Sequence, residues 1–459
     1  MNETNIELQN LPVVIGCGIG GMIVSHALCQ AGVRHVLVGD PLKGGIRPGE
    51  SLDLPASVAM PEVFPTLTRF FHHKGGVTAL FGQQSIDLEF QMPEYRYLHR
   101  LVEGMGFPLP PSLYQVDRIG FDAALFELLE QHPACLRVPG RVSEIEYDEA
   151  GDRIVSLTLP DGSKLTRPSF VFDGSGPARV IGRAAGLELE TLSDRHRAVI
   201  AHFDSPGEAW WTPRTALLRL YRELHGLRGG VWCIPMCDTI SVGVSTPAEG
   251  EGAFAGSDDA MMAAALEGMR RAGVEINPSG ASAKRQKGAR YTYSRYRRSH
   301  GANWLLVGSS VLQAWWLASA GLGVILAAAA IAPELVRSAT GASRRKAAKR
   351  SLERYDTYLA QVCKTHRIFE SVMSDPTPPV SPEALRPVYE PLMRGNLVRL
   401  AMYSHIARRT RSVELIAPVI RRVVGDWRVG HVRGVESSIE LLPPRTASLG
   451  GDASIALSA

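Results

Sequence analysis

The sequence predicts an α/β chain with a parallel-sheet domain at its N-terminus, an antiparallel sheet in its middle and a helical C-terminal region. Three observations carry this. An apolar run, Leu11 to Ile15, breaks at Gly16-x-Gly18-x-x-Gly21 and resumes with helical periodicity. From Ala198 to about Arg298 the texture turns to short alternating apolar segments. From Glu334 onward amphipathic helical patterns dominate. At 459 residues the chain exceeds one compact core. The patterning assigns 1–197 with 299–336 to a discontinuous first domain, 198–298 to the antiparallel sheet, 337–440 to a basic helical domain and 441–459 to a disordered tail.

The first element is a dinucleotide cradle of Rossmann type. Val13 to Ile15 form a buried strand, Gly16 makes the tight turn and Gly18 lets the backbone approach a pyrophosphate. Gly21 lets the next helix pack on the sheet, and the N-terminus of that helix faces the phosphate charge. Asp40, nineteen residues past Gly21, ends a second short strand where an acid holds a ribose hydroxyl. The loop that follows carries Arg47 into Gly49-Glu50-Ser51-Leu52; it reads either as a wrap around a cofactor or as a surface loop. Lys74 precedes a strand beginning at Val77 and is either a buried catalytic amine or an ordinary solvent-facing lysine. Arg118, just before a helix from Ala123 to Gln131, suits an anion contact or a salt bridge to Asp122.

Two strands, Arg141 to Tyr147 and Ile154 to Leu159, flank a hairpin signal. Phe170-Val-Phe-Asp173-Gly174-Ser-Gly176 is another buried strand ending in a glycine-rich turn, a second backbone approach to the same ligand region. The antiparallel stretch is interrupted by one helix, Asp259 to Ala272. A last strand, Trp304 to Gly308, runs through Ser309 into an uncharged helix with Gly321 and Gly323, whose N-terminus is a further place for a polar or anionic group. Helices then follow over Arg344 to Tyr358, Leu359 to Val372, Pro391 to Thr410 and Val413 to Val424.

Composition sets limits on function. Six scattered cysteines include no CxxC pair, so neither a disulfide framework nor a metal site is expected. The N-terminus has no basic segment before its apolar run, which predicts a cytoplasmic protein. Val311 to Pro333 has no charge and is long enough for a span, but Gln313, Ser319 and two glycines argue for a buried helix and against stable membrane insertion. Residues 337–433 carry a net +11 and the remainder −7, which points to an acidic partner docking on the C-terminal helices. There is no recognition module for nucleic acid.

Taken together, Gly16/Gly18/Gly21, Asp40, Arg47, Gly49-Glu50-Ser51-Leu52, Arg118 with Asp122, Asp173-Gly174-Ser175-Gly176, Trp232-x-Ile234-Pro235 and Gly308 onward resemble the FAD-dependent monooxygenases of the flavin-dependent halogenase-like branch. The resemblance runs from about Val13 to Arg337. It implies FAD across the first domain under the sheet layer, with Gly308, Ser309, Gly321 and Gly323 beside the flavin. The mechanism expected with it is hydroxylation of an electron-rich aromatic ring through a flavin C4a-hydroperoxide, with Lys74 the candidate proton donor; by the same resemblance Lys74 falls where halogenases of the phenol and pyrrole type keep the lysine that relays hypohalous acid. Trp210, Trp211, Trp232, Trp315 and Trp316 are candidates for stacking a planar substrate or for plain core.

Departures from the family pattern narrow the reading. Ser309 stands where the family keeps an Asp, which implies weaker flavin binding, and Gly230 replaces the first Trp of the halogenase box. Gln313 and Trp316 stand where halogenases keep Phe and Pro, which favours oxygenation over halogenation. In character the chain is most similar to flavoproteins that hydroxylate a peptidyl tryptophan during quinohemoprotein amine dehydrogenase maturation. The alternatives are a halogenase of a small aromatic and a flavin-dependent reductase. Without a second nucleotide fingerprint, reduction is expected from a separate flavin reductase or a transient nicotinamide.

Overall fold

Val13–Ile15 lies at the centre of a five-stranded parallel sheet, ordered Trp304–Leu306, Val171–Asp173, Val13–Ile15, His35–Val38, Cys135–Val138. The first four of these are buried throughout, as expected of strands covered on both faces. The computed structural model describes residues 8–41, 44–81, 84–89, 113–205, 214–221, 225, 227–236, 238–250, 252–274, 276, 283–313, 319–338, 342–374, 382–407 and 431–434. The helix Ile19–Gln30 packs against Gly321–Arg337, with Gly20 facing Val307 and Ile325. At its far end Arg337 donates to the carbonyl of Ala31 at 2.7 Å.

The second sheet has nine strands, in the order Leu312–Gln313, Arg285–Tyr296, Leu189–Asp204, Thr239–Pro247, Gly229–Pro235, Arg214–Leu220, Gly76–Phe81, Gln84–Glu89, His431–Gly434. It is antiparallel except where Arg214–Leu220 meets Gly76–Phe81. The sheet therefore draws strands from both sides of 198–298, through long-range pairings that local sequence pattern does not encode. Alternation decides its two faces. Val199, Ala201 and Phe203 pack under the helix Asp258–Arg271, whereas Ala198 and Ile200 share the opposite face with Trp232, Ile234 and Met236. Ile46, from the loop after the second parallel strand, packs into this opposite face.

The two helices expected over 344–372 are one helix of 33 residues, Ala342–Ser374. Tyr355, Tyr358, Leu359, Val362, Cys363 and His366 form an unbroken buried stripe at helical spacing, so nothing stops the helix at 358. A second long helix, Pro382–Ile406, starts earlier than its apolar pattern suggested. The expected helix from Val413 and the tail from 441 lie outside the described residues. The uncharged segment forms the strand Leu312–Gln313 and the largely buried helix Gly321–Arg337, and among the described residues no helix is long and apolar enough to cross a membrane.

Asn303 joins the parallel sheet to the small sheet of Glu144–Tyr147, Ile154–Thr158 and Lys164–Thr166. Its side chain accepts from Ile154 N at 2.8 Å and donates to Ile154 O at 3.0 Å and Pro168 O at 3.1 Å. Asn303→Ala leaves these buried backbone groups unpaired and is expected to cost about 3 kcal/mol, at ~1–3 kcal/mol for each lost partner. Urea unfolding followed by circular dichroism measures it as a lowered midpoint with an unchanged slope.

Candidate functional site

The five parallel strands end at one edge of the sheet, and each is followed within two residues by a glycine: Gly16, Gly39, Gly140, Gly174 and Gly308. Ligands of open parallel sheets bind outside this carboxyl edge, at the point where strand order reverses. Here the reversal falls at Val13–Ile15, flanked by His35–Val38 on one side and Val171–Asp173 on the other. Three glycines meet there backbone to backbone. A Cβ on Gly21 would stand 1.9 Å from Gly16 O, and one on Gly174 would stand 2.5 Å from Gly21 N.

The helix Ile19–Gln30 opens at Gly18 with no side-chain cap and no acidic residue in its first turn, and a Cβ on Gly18 would meet nothing within 4 Å. An uncapped N-terminus with open space before it suits a pyrophosphate. Asp40 is exposed at the end of the second strand, with Oδ1 accepting from Gly140 N at 3.2 Å. The donors and spaces present fit a dinucleotide.

Asp173 has a different role from the one expected of it. Its Oδ1 accepts from Ser175 N at 3.0 Å, Ser175 Oγ at 2.5 Å and Ser310 Oγ at 3.2 Å, and its Oδ2 accepts from Ile181 N at 2.8 Å. The carboxylate is taken up by the protein itself and anchors the turns of Gly174 and of Gly308–Ser310 to each other. Burial pushes its pKa up and these hydrogen bonds oppose that rise. Ser309 is half-buried in the second turn, its carbonyl accepting from Arg179 Nε at 3.4 Å.

Arg118 and Arg47 converge on one carboxylate. Arg118 binds Asp122 in bidentate fashion at 2.9 and 3.0 Å, and Arg47 reaches Asp122 Oδ2 at 3.0 Å. Arg118 also donates to Pro48 O at 2.5 Å, so this buried arginine fixes the loop as well as the helix start. Two guanidiniums on one carboxylate leave one net positive charge in this cluster. Glu50, three residues after Arg47, hydrogen-bonds His202 Nε2 at 2.8 Å, both side chains being buried.

Lys74 is 5% exposed, and its Nζ donates to Ser51 Oγ at 2.7 Å and to Leu52 O at 3.4 Å. Burial lowers its pKa to about 8, against the opposing charge of Asp53. Asp53 caps the helix Leu54–Val63 through Ala56 N and receives Arg399 Nη2 at 3.3 Å. Burial raises the Asp53 pKa, and the Arg399 guanidinium is the largest force holding it down. Gly321 opens its helix with free space at its Cβ position, whereas the Cβ position of Gly323 is 2.6 Å from the Tyr358 hydroxyl and 3.5 Å from Asp53 Oδ2. Gly323 is thus a packing site for the C-terminal helix, and only Gly321 keeps an open approach.

Trp232 is buried, with its indole lying where a side chain on Gly243 would stand, 1.9 Å from that Cβ position. It forms part of the apolar face with Ile200, Ile234 and Met236. Trp210, Trp211, Trp315 and Trp316 lie outside the described residues. Among the described residues no group of His, Cys, Asp and Glu could hold a metal ion. His202, Asp53, Arg399 and Tyr358 belong to the site and were not anticipated. Asp53 had a local signal, an acid before Leu54-Pro55 at a helix start.

This arrangement is the fold of flavin-dependent halogenases and FAD-dependent monooxygenases. The flavin-dependent brominase Bmp2 matches with a TM-score of 0.60 at 15% identity, over 90% of this chain and 98% of its own. Xcc4156, a flavin-dependent halogenase from Xanthomonas campestris, matches with a TM-score of 0.60 at 14% identity, over 91% and 95%. PqsL, a probable FAD-dependent monooxygenase from Pseudomonas aeruginosa, matches with a TM-score of 0.59 at 17% identity, over 80% and 97%. At such identities the likeness is one of fold. No protein-family model and no curated protein matches the sequence.

Gly243→Ala forces the Trp232 indole off the sheet face. It is expected to destabilise the protein by about 1–3 kcal/mol, the usual cost of overpacking a core. Near-ultraviolet circular dichroism should show the displaced indole while the far-ultraviolet spectrum stays unchanged.

Proposed function

We propose that this chain is an FAD-dependent monooxygenase that hydroxylates an electron-rich aromatic ring, most specifically a tryptophan side chain of a partner protein during quinone-cofactor maturation. The observation that carries the reading is Lys74, a buried amine whose Nζ donates to Ser51 Oγ at 2.7 Å. FAD, when bound and reduced, supplies electrons to O2. One oxygen atom enters the ring and the other leaves as water, the two electrons coming from the reduced flavin.

The residues of this chain divide the remaining work. The open N-terminus at Gly18 would hold the pyrophosphate and Asp40 the ribose. Arg47 would place its charge near the same ligand, and the turn at Gly308–Ser309 and the amide at Gly321 would approach the ring system. Ile200, Trp232, Ile234 and Met236 exclude water from the reacting centre. Lys74 in its ammonium form donates a proton toward the departing oxygen.

The partner assignment rests on charge and on what is missing. Arg345, Lys346, Lys349 and Arg350 are all exposed on the long C-terminal helix, a basic face suited to an acidic protein. The replacement of halogenase signatures at Gly230 and Gln313 supports oxygen rather than halogen transfer. A second reading, halogenation of a small aromatic, draws on the same lysine and on the fold shared with the brominase Bmp2.

Incubation with FAD, a flavin reductase, O2 and acidic Trp-containing proteins, followed by peptide mass spectrometry, tests both. Gain of one or two oxygen atoms on tryptophan supports the proposal. A bromine mass shift in added bromide selects the second reading, and no covalent change in any partner or small aromatic sinks both. If Lys74 is the acid, turnover should fall as pH rises through about 8. Lys74→Met should lose ~10²-fold or more in rate and abolish that limb of the pH profile.

A further inference from the structure

Arg399 sits on the helix Pro382–Ile406 and is fully buried. Its Nη2 donates to Asn396 Oδ1 at 2.8 Å and to Asp53 Oδ2 at 3.3 Å, while Nε and Nη1 have no partner among the described residues. A buried guanidinium is costly unless a carboxylate neutralises it. The Asp53 contact is therefore what lets this cation stand in the core. The dependence is mutual, because a fully buried carboxyl also favours its neutral form unless a cation faces it.

The groups around this pair are few and can be named. Asp53 faces Lys74, Arg399 and the Tyr358 hydroxyl, which is buried without a partner among the described residues. Tyr403 lies beyond Tyr358, and His366, lowered to about 3 by burial and by Arg399, is neutral. On the strand of Lys74, His73 packs its ring against Tyr114, and burial lowers the pKa of His72. Lys74 Nζ is held on Ser51 Oγ at 2.7 Å and Leu52 O at 3.4 Å, the two residues before Asp53, and the Asp53 carboxylate is the charge that opposes the effect of burial on the amine.

We propose that Arg399 is a positioning residue for Lys74 that acts through Asp53, the guanidinium fixing the carboxylate and the carboxylate attracting the ammonium group. The C-terminal helices thereby complete the surroundings of the lysine as well as offering a docking face. The proposal rests on Lys74 as the proton donor. With Arg399 removed, burial drives a proton onto Asp53, and the neutral acid no longer favours a charged lysine. The amine then spends more of its time neutral at the same pH and serves less well as an acid.

The test is a pH titration of the Lys74 ε-methylene by carbon NMR on the full chain with isotope-labelled lysine, assigned by loss of the signal in Lys74→Arg. The wild-type midpoint is expected near 8. Arg399→Gln should lower it by about one unit or more, as should Asp53→Asn, which keeps the helix cap. Arg399→Lys should restore it, and the double variant should fall no lower than Asp53→Asn alone, because the two act as one unit. Where Arg399→Gln does not fold, Arg399→Met takes its place. A midpoint that stays put or rises on loss of the guanidinium overturns the proposal. The measurement needs no turnover, so an inactive wild type with a movable midpoint counts against the hydroxylase reading alone.

Discussion

Seven residues, Arg47 to Asp53, hold this protein together by reaching four different elements with buried polar contacts. Arg47 reaches Asp122 on the helix Arg118–Glu130, Glu50 reaches His202 on the large sheet, Ser51 reaches Lys74, and Asp53 reaches Arg399 on the C-terminal helix. Each contact removes charge or dipole from water, and each would be a net cost without its partner. Its buried part, Glu50 to Asp53, finds these partners only when the large sheet, the strand of Lys74 and the C-terminal helix are all in place. That requirement fixes the sheet, the cradle and the helices relative to one another more tightly than apolar packing would, since apolar contacts slide and hydrogen bonds do not.

The glycine edge supplies the complementary constraint. Gly16, Gly21 and Gly174 bring three backbone segments into contact at the strand reversal, and Asp173 locks the adjoining turn to Ser310 and Ile181. The result is a close-packed edge at which the helix N-terminus at Gly18 stays open, neither filled nor capped by side chains. Backbone contact here and paired buried charge at the neighbouring stretch both hold polar groups in fixed positions.

Local pattern made the first domain legible. Glycine spacing, the acid at Asp40 and the strand before Gly174 are short-range signals, and the parallel sheet follows from them. The helix Asp258–Arg271 lies within a residue of the span its pattern predicts, because its periodicity is local. What escaped was set by distance. Gly76–Phe81 pairs with a strand more than a hundred residues away, and Arg399 meets a carboxylate 346 positions earlier. The long helix was split in the reading because Tyr358 and Leu359 mark no boundary in either direction, and only the continuous buried stripe shows that they face the core. Asp173 illustrates a subtler limit: its position was plain from the sequence, but whether its oxygens face a ligand or the chain itself depends on where Ser310 comes to rest.

The pairing of Asp53 with Arg399 also sets an order of events during synthesis. With 346 residues between them, a ribosome adding about 5–20 residues per second makes the acid wait roughly 20 to 70 s for its cation. The glycine edge can begin to form from early segments, whereas the surroundings of Lys74 are finished only when the last long helix arrives. The growing chain thus brings its early glycine turns together well before the charge around Lys74 is balanced.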